Sequence, residues 1–176
     1  RRDVERIFIA LTVGIGWKSP LVKKRNVAIF SILLNCGLRA GELLGLRLLD
    51  VDWDRAELTV RSETSKSKRK RRVPLNSAVL DALRDYMQER HQAGIMDPAL
   101  WVSGEHDRPL TKDGLKHLVE RVKAASGVRF HLHQLRHTFA VNLLCSGSDV
   151  TKLKQLLGHQ DVRMTCAYLR CLPVSV

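Results

Sequence analysis

One short stretch, HLHQLRHTFA at residues 131–140, places three histidines and an arginine close together. His133 and Arg136 are three residues apart and His133 and His137 are four apart, so in a helix they project from one side. The two histidines are compatible with zinc, although no HExxH glutamate and no third ligand at a supporting spacing accompany them. They are also compatible with a hydrogen-bonded pair near the core. A third interpretation adds Arg136, because an arginine fork beside a histidine can hold phosphate oxygens.

Further polar residues fall where helices are predicted to end. Arg39 lies in the break GLRAGE, with Glu42 as a possible carboxylate partner, and His159 follows Gly158 at another helix end. Tyr168 is one of only two tyrosines in the chain. Each residue also has an ordinary structural interpretation, as a salt-bridge partner, a helix-end cation or a half-buried ring.

The charge balance indicates the kind of partner. The chain has 30 Lys and Arg against 18 Asp and Glu, a net charge of +12. Such a surplus favours a polyanion, nucleic acid first and an acidic membrane second. The segment KSKRKRR, residues 66–72, holds six cations in seven positions. It is either a solvated charge run or a loop that follows a phosphate backbone.

Length and composition predict one soluble domain. The 176 residues suffice for a real core, and 44% hydrophobic with 27% charged residues argues against disorder. No apolar run reaches the length of a membrane span, so we expect a cytoplasmic protein without a membrane partner. The four cysteines form no CxxC pair, which argues against a zinc ribbon or a disulfide framework.

The periodicity of the apolar residues predicts a mostly α-helical α+β domain. An Asp-rich turn, a strand near residues 57–61, the basic loop and a second strand ending at Val73 and Pro74 predict a hairpin or small sheet. WVSG, residues 101–104, is a candidate for one more strand. Helices are predicted over these ranges: 3–11, 23–36, 40–46, 77–94, 110–127, 131–147, 149–158 and 161–171.

Four stretches in this order resemble the catalytic domain of the tyrosine recombinase family, the phage integrases and their chromosome-resolving relatives. NCGLRAGELLGLRLLDVD resembles the first arginine box, with Arg39, and SKSKRKRRVPL resembles the hairpin, with Lys66 at the lysine position. HQLRHTFA resembles the HxxR box of His133 and Arg136. LGHQDVRMTCAYL resembles the terminal box, with His159 and, nine residues later, Tyr168. The resemblance covers nearly the whole chain and implies the fold of that domain.

The resemblance implies metal-free cleavage and rejoining of DNA through a 3′-phosphotyrosyl link, with no cofactor and no ATP. Tyr168 would attack the scissile phosphate and His133 would accept its proton. Arg39 and Arg136 would hold the phosphate, and His159 would donate a further hydrogen bond to it.

A sixth catalytic role and a supporting one follow from the same resemblance. Lys66 would protonate the leaving 5′ oxygen from the minor groove, with Lys68 as its nearest rival. Glu42 would orient Arg39. The other cations of the hairpin are candidates for DNA contacts, namely Lys68, Arg69, Lys70 and Arg71.

The resemblance also predicts how the chain is organised. Residues 1–176 would form one catalytic domain that lacks the N-terminal clamp domain of complete members and, alone, binds DNA weakly. The expected partner is double-stranded DNA, with a tetramer on DNA and a monomer possible for the isolated domain. The expected location is the cytoplasm, at the nucleoid, for a protein encoded by a bacterium or a phage. Two alternatives remain open at this point: a type IB topoisomerase, and a DNA-binding module without catalysis.

Overall fold

A computed structural model describes residues 2–65, 68–104, 107–161 and 163–171. For residues 170 and 171 it describes the backbone alone. Eight α-helices occur in these ranges, together with three short strands and three irregular helical turns. The helices are α1 (Arg2–Ile9), α2 (Pro20–Cys36), α3 (Ala40–Leu44), α4 (Ser77–Gln92), α5 (Lys112–Ser126), α6 (Leu132–Cys145), α7 (Val150–Leu157) and α8 (Arg163–Cys166). The mostly helical α+β prediction is confirmed.

Helix α2 is the centre of the core. Ser19 caps its start by accepting a hydrogen bond from the Val22 N–H at 3.3 Å, and Pro20 occupies the first turn. Its apolar residues are buried on almost every side, between α4 and α6. Gly37 ends the helix in the left-handed conformation, with φ of 61°. The predicted stop at this glycine is confirmed.

The three strands form one antiparallel sheet in the order β1, β2, β3. They are β1 (Val51–Asp52), β2 (Glu57–Val60) and β3 (Arg71–Pro74). Leu58 lies between Val51 on one side and Val73 on the other, and all three are buried. The predicted hairpin is therefore present, and the aspartate-rich segment adds the third strand.

The region WVSG is not a strand, in contrast to the sequence prediction. It makes one isolated bridge, between Val102 and Pro109, and otherwise follows the core as an irregular segment. Trp101 anchors it by donating from Nε1 to the Leu43 carbonyl at 3.0 Å and by stacking on Tyr86. Burial of one large ring, rather than sheet pairing, explains its apolar character.

The predicted first and last helices are both shorter in the structure. Helix α1 ends at Ile9 and continues as a wider helical turn, Ala10–Gly14. At the other end, α8 has four residues and passes into a tighter 3-10 turn, Ala167–Cys171. We call residues 163–171 the tyrosine segment.

Candidate active site

A pocket of about 740 Å³ opens where the ends of α2 and α7 meet α6 and the tyrosine segment. Its lining comes from sequence positions that are more than a hundred residues apart. It is lined by Arg39, His133, Arg136, His137, Gly158, His159, Gln160, Met164, Ala167 and Tyr168. Five of the six residues predicted to be catalytic therefore lie around one cavity, and the sixth, Lys66, lies outside the described residues.

A buried carboxylate organises the floor of this pocket. Glu42 accepts two hydrogen bonds from Arg71, at 2.9 and 2.7 Å, and one from the backbone N–H of Arg39 at 2.9 Å. The guanidinium groups of Arg39 and Arg136 lie at 3.3 and 3.8 Å from its oxygens. We call Glu42, Arg39, Arg71 and Arg136 the carboxylate cluster. The structure thus places Glu42 beside Arg39, and the orienting role of Glu42 stays a prediction.

The electrostatics of the cluster keep Glu42 ionised. Burial by itself raises the pKa of this carboxyl, but the hydrogen bonds and charge of Arg71, the Arg39 N–H and the charge of Arg136 outweigh it, so the pKa is lowered overall. Three guanidinium groups face one carboxylate, which leaves the floor positively charged. A floor of this sign suits an anion such as a phosphodiester.

Arg136 lies deeper than the sequence suggested. Its Nη1 donates to the Gly37 carbonyl and its Nη2 to the Leu157 carbonyl, each at 2.7 Å, and it is 2% exposed. Burial, followed by the charge of Arg39, lowers its pKa to about 10, so it remains charged at neutral pH. Gly37 and Leu157 thus fix Arg136 through carbonyls left free at two helix ends.

His159 follows the left-handed residue Gly158 and is nearly buried. Its Nε2 lies 3.1 Å from Nη2 of Arg136, and its Nδ1 lies 2.9 Å from Oγ1 of Thr165. Burial, and then the charges of Arg136, Arg39, Arg71 and His133, lower its pKa to about 4. The imidazole is therefore neutral at physiological pH and carries a single ring proton.

Tyr168 lies in the 3-10 turn with its ring between two histidines. The ring centroids of His137 and Tyr168 are 5.1 Å apart, and those of His159 and Tyr168 are 6.3 Å apart with nearly parallel planes. The tyrosine is 7% exposed. Among the described residues, no hydrogen bond to its hydroxyl is present. Ring packing therefore holds the tyrosine.

His133 lies at the exposed rim of the pocket, one turn of α6 before His137. Within the described ranges, no three His, Cys, Asp or Glu side chains are arranged to hold a metal ion. The histidine pair of the sequence instead divides between two positions: His133 at the rim and His137 against Tyr168.

The four cations proposed for DNA contact are not equivalent. Lys68, Arg69 and Lys70 are exposed at the start of the chain leading into β3. The side chain of Arg71 is 7% exposed and pairs with Glu42, and its Nε donates to the Leu156 carbonyl at 2.7 Å. This position does not fit the expected DNA contact for Arg71, because its donors are used inside the protein.

Sequence reasoning missed the roles of Arg71, His137 and Thr165. The signal for Arg71 was strand alternation, since it shares the inward face of β3 with Val73. His137 stands one turn after His133, a spacing that fits a metal site or a hydrogen-bonded pair but does not indicate a contact with Tyr168. Nothing in the sequence alone indicates that Thr165 bonds to His159.

Comparisons with known proteins agree with this geometry. The family model described as Phage integrase family matches residues 4–173. Tyrosine recombinase XerC of Alcanivorax borkumensis is 34% identical over 170 residues, covering 94% of this chain and 54% of the relative. Tyrosine recombinase XerA of Thermococcus kodakarensis is also 34% identical, covering 97% of this chain and 56% of the relative. The chain thus spans about half the length of these curated relatives.

Solved structures share the fold. The crystal structure of XerA recombinase superposes with a TM-score of 0.80 at 27% identity, covering 96% of this chain and 58% of that one. The catalytic domain of bacteriophage HP1 integrase superposes with a TM-score of 0.67 at 23% identity, covering 98% of this chain and 86% of that one. With the matched family model and these relatives, the four sequence boxes and the pocket that three of them line have one explanation: the chain belongs to the phage integrase family.

Proposed function

We propose that this chain is the catalytic domain of a site-specific DNA recombinase that cleaves and rejoins DNA through a 3′-phosphotyrosyl intermediate. The observation that carries the proposal is the pocket shared by Arg39, His133, Arg136, His159 and Tyr168. A pure DNA-binding module requires basic surface residues, but it does not require a tyrosine packed beside two histidines and an arginine cluster.

The proposed reaction is an in-line displacement at phosphorus. The Tyr168 oxygen attacks the scissile phosphate, a new O–P bond forms, and the bond from phosphorus to the 5′ oxygen breaks. An unperturbed phenol has a pKa near 10, so its proton must pass to a base, for which His133 at the open rim is our candidate. The 5′ oxygen takes up a proton from Lys66 or Lys68. Because the phosphotyrosyl link conserves the bond energy, a second 5′ hydroxyl can reverse the step.

The carboxylate cluster would stabilise the charge that grows on the non-bridging oxygens. Arg39 is the most accessible of its guanidinium groups, with a side chain 27% exposed. Arg136 lies deeper in the pocket and adds a second positive charge. Neutral His159 adds a hydrogen-bond donor without adding charge. Fixed donors of this kind act in the transition state without reorganisation.

The proposed partner is double-stranded DNA, engaged at the nucleoid in the cytoplasm by a tetramer. The net charge of +12 and the exposed cations Lys68, Arg69 and Lys70 support binding to a polyanion. Two of the similar solved structures are described as the XerH recombinase bound to difH substrate. Among the described residues, no helix is both long and apolar enough to span a bilayer.

The decisive experiment is covalent trapping. The full gene product and this chain are each incubated with nicked duplexes drawn from DNA flanking the gene, and SDS-resistant adducts are mapped by mass spectrometry. We expect an adduct on Tyr168 that is absent from the Tyr168→Phe variant. DNA binding by the full gene product without any adduct would instead favour the non-catalytic module, and relaxation of supercoiled DNA lacking a specific site would favour a topoisomerase.

A further inference from the structure

The two ring nitrogens of His159 contact partners of different kinds. Nε2 faces Nη2 of Arg136 at 3.1 Å, and Nδ1 faces Oγ1 of Thr165 at 2.9 Å. A guanidinium only donates hydrogen bonds, so Nε2 must accept. In a neutral imidazole the proton then lies on Nδ1, which donates to the Thr165 hydroxyl.

This tautomer is the opposite of the one that the reaction requires. To donate a hydrogen bond to a phosphate oxygen from Nε2, the ring must carry its proton on Nε2, and Nδ1 must then accept one. A carbonyl or an amide N–H beside Nδ1 would support only one of the two forms. A hydroxyl supports both, because it can accept from Nδ1 or donate to it.

We propose that Thr165 is a positioning residue whose hydroxyl allows His159 to change from the Nδ1–H tautomer bonded to Arg136 to the Nε2–H tautomer bonded to phosphate. The inference rests on the proposed function and deepens it. In the change the ring takes up one proton on Nε2 from water in the pocket and releases the Nδ1 proton to water as its bond to Thr165 opens transiently, so its charge returns to zero. The Thr165 hydroxyl rotates from acceptor to donor.

The location of Thr165 favours this role over that of an ordinary buried threonine. It is fully buried and His159 is 8% exposed, so bulk water does not compete at Nδ1. Thr165 belongs to α8 and precedes Tyr168 by three residues, so the same bond also connects His159 to the tyrosine segment. Loss of the hydroxyl would leave Nδ1 without a partner in a dry site, which is costly.

The first test is spectroscopic and independent of catalysis. The ring nitrogens of His159 are assigned by ¹⁵N NMR in the histidine-labelled wild-type chain and in Thr165→Ser and Thr165→Val. We expect the Nδ1–H tautomer in the wild type and in Thr165→Ser. In Thr165→Val the Nδ1–H group loses its acceptor while Nε2 still faces Arg136, so neither tautomer satisfies both nitrogens and we expect a mixture. A wild-type His159 with its proton on Nε2 would overturn the proposal, whether or not the protein cleaves DNA.

The second test is a double-mutant cycle on the rate of adduct formation with the nicked duplex. Thr165→Val should slow adduct formation about tenfold or more, the effect of losing one buried hydrogen bond. Thr165→Ser should restore most of the rate. In a His159→Leu background, the Thr165→Val change should slow the reaction no further, because its partner is already absent.

The outcomes separate the two proposals. Equal slowing in both backgrounds, or a Thr165→Ser variant as slow as Thr165→Val, would reduce Thr165 to a packing residue while leaving the recombinase proposal intact. Absence of any adduct from the wild type would contradict the recombinase proposal, and the NMR measurement would still decide the tautomer. If Thr165→Val does not fold, the Thr165→Ser rate and the wild-type spectrum decide.

Discussion

The carboxylate cluster and the tyrosine segment face each other across one pocket but are held by different kinds of contact. Glu42 accepts three close hydrogen bonds, and Arg136 donates to two carbonyls, so the positions of these side chains are set by directional bonds. Tyr168 is held by ring contacts with His137 and His159, and its segment connects to the pocket through the Thr165 bond. The side of the pocket around Glu42 is therefore built as a rigid floor, and Tyr168, the proposed nucleophile, lies on a short element that packing holds in place.

This comparison predicts that a charge removed from the floor costs the most. Glu42→Gln leaves Arg39, Arg71 and Arg136 beside one another without their carboxylate. Breaking a buried ion pair on one side typically costs about 3–5 kcal/mol, and we expect a loss of this size in the free energy of unfolding. Urea denaturation of the purified chain measures it.

A matched control exists at the neighbouring arginine of β3, Arg72. Glu57 pairs with Arg72 at 3.5 Å on the surface, where the arginine side chain is 54% exposed. Glu57→Gln should cost about 1 kcal/mol or less, since exposed pairs contribute little. Similar losses for Glu42→Gln and Glu57→Gln would mean that the carboxylate cluster is no more rigid than an exposed ion pair.

The second prediction concerns pH. Burial and the neighbouring cations lower the pKa of His159 to about 4, below the ordinary value of 6.5. In the unfolded chain the imidazole takes up its proton as the pH falls through 6.5, but in the folded chain only near pH 4. The neutral ring thus contributes full stability above pH 6.5, and this contribution is lost as the pH falls from 6.5 to 4.

The loss attributable to His159 should be about 2 kcal/mol between pH 7 and pH 5. It is measured as the difference between the wild type and His159→Leu in urea denaturation at the two pH values. Subtracting the variant removes the other titrating groups. If both proteins lose the same stability, His159 is not the buried neutral base that joins the floor to the tyrosine segment.

Much of this architecture could be predicted from the sequence, and Arg71 shows where the prediction reached its limit. The hairpin, the helix stop at Gly37 and the grouping of Arg39, Arg136, His159 and Tyr168 all follow from local signals or from ordered motifs. The basic run predicts a DNA contact for Arg71, because a charge count ignores which face of a strand each residue occupies. Arg71 lies two residues before the buried Val73 in β3, and this spacing indicates that both side chains face inward.

Thr165 and Trp101 show what local pattern cannot supply. The Thr165 bond to His159 depends on how α8 packs after Gly158, and no spacing rule fixes that approach. WVSG has strand-like composition, but in the structure Trp101 is buried against Tyr86 and bonded to the Leu43 carbonyl, and the segment pairs with none of the described strands. Both results depend on tertiary packing, which outweighs local propensity.

The third prediction tests whether the Arg71 side chain is held in a fixed position against Gly158. A Cβ added at Gly158 would lie 3.1 Å from Nη1 of Arg71, and the residue has φ of +66°. Arg71 cannot yield without weakening its bonds to Glu42 and Leu156. We therefore expect Gly158→Ala to lower the free energy of unfolding by about 2 kcal/mol.

Gly94 provides the control, because it has the same φ of +66° and nothing within 4 Å of its added Cβ. Gly94→Ala should show the backbone cost alone, about 1 kcal/mol. The excess at Gly158, measured by urea denaturation, reports the crowding by Arg71. Equal losses at the two glycines would show that Arg71 moves aside freely.

The smallest effect is expected at Tyr168, the proposed nucleophile. Within the described residues no hydrogen bond to the Tyr168 hydroxyl is present, so Tyr168→Phe keeps the ring contacts with His137 and His159 and removes only an unpaired group. The free energy of unfolding should change by no more than about 0.5 kcal/mol. This near-neutrality is also what allows the same variant to serve as the trapping control, since loss of the adduct then reflects chemistry rather than unfolding. A cost above about 1 kcal/mol would mean that the hydroxyl is bonded in solution, and the tyrosine segment would then be fixed by directional bonds as the carboxylate cluster is.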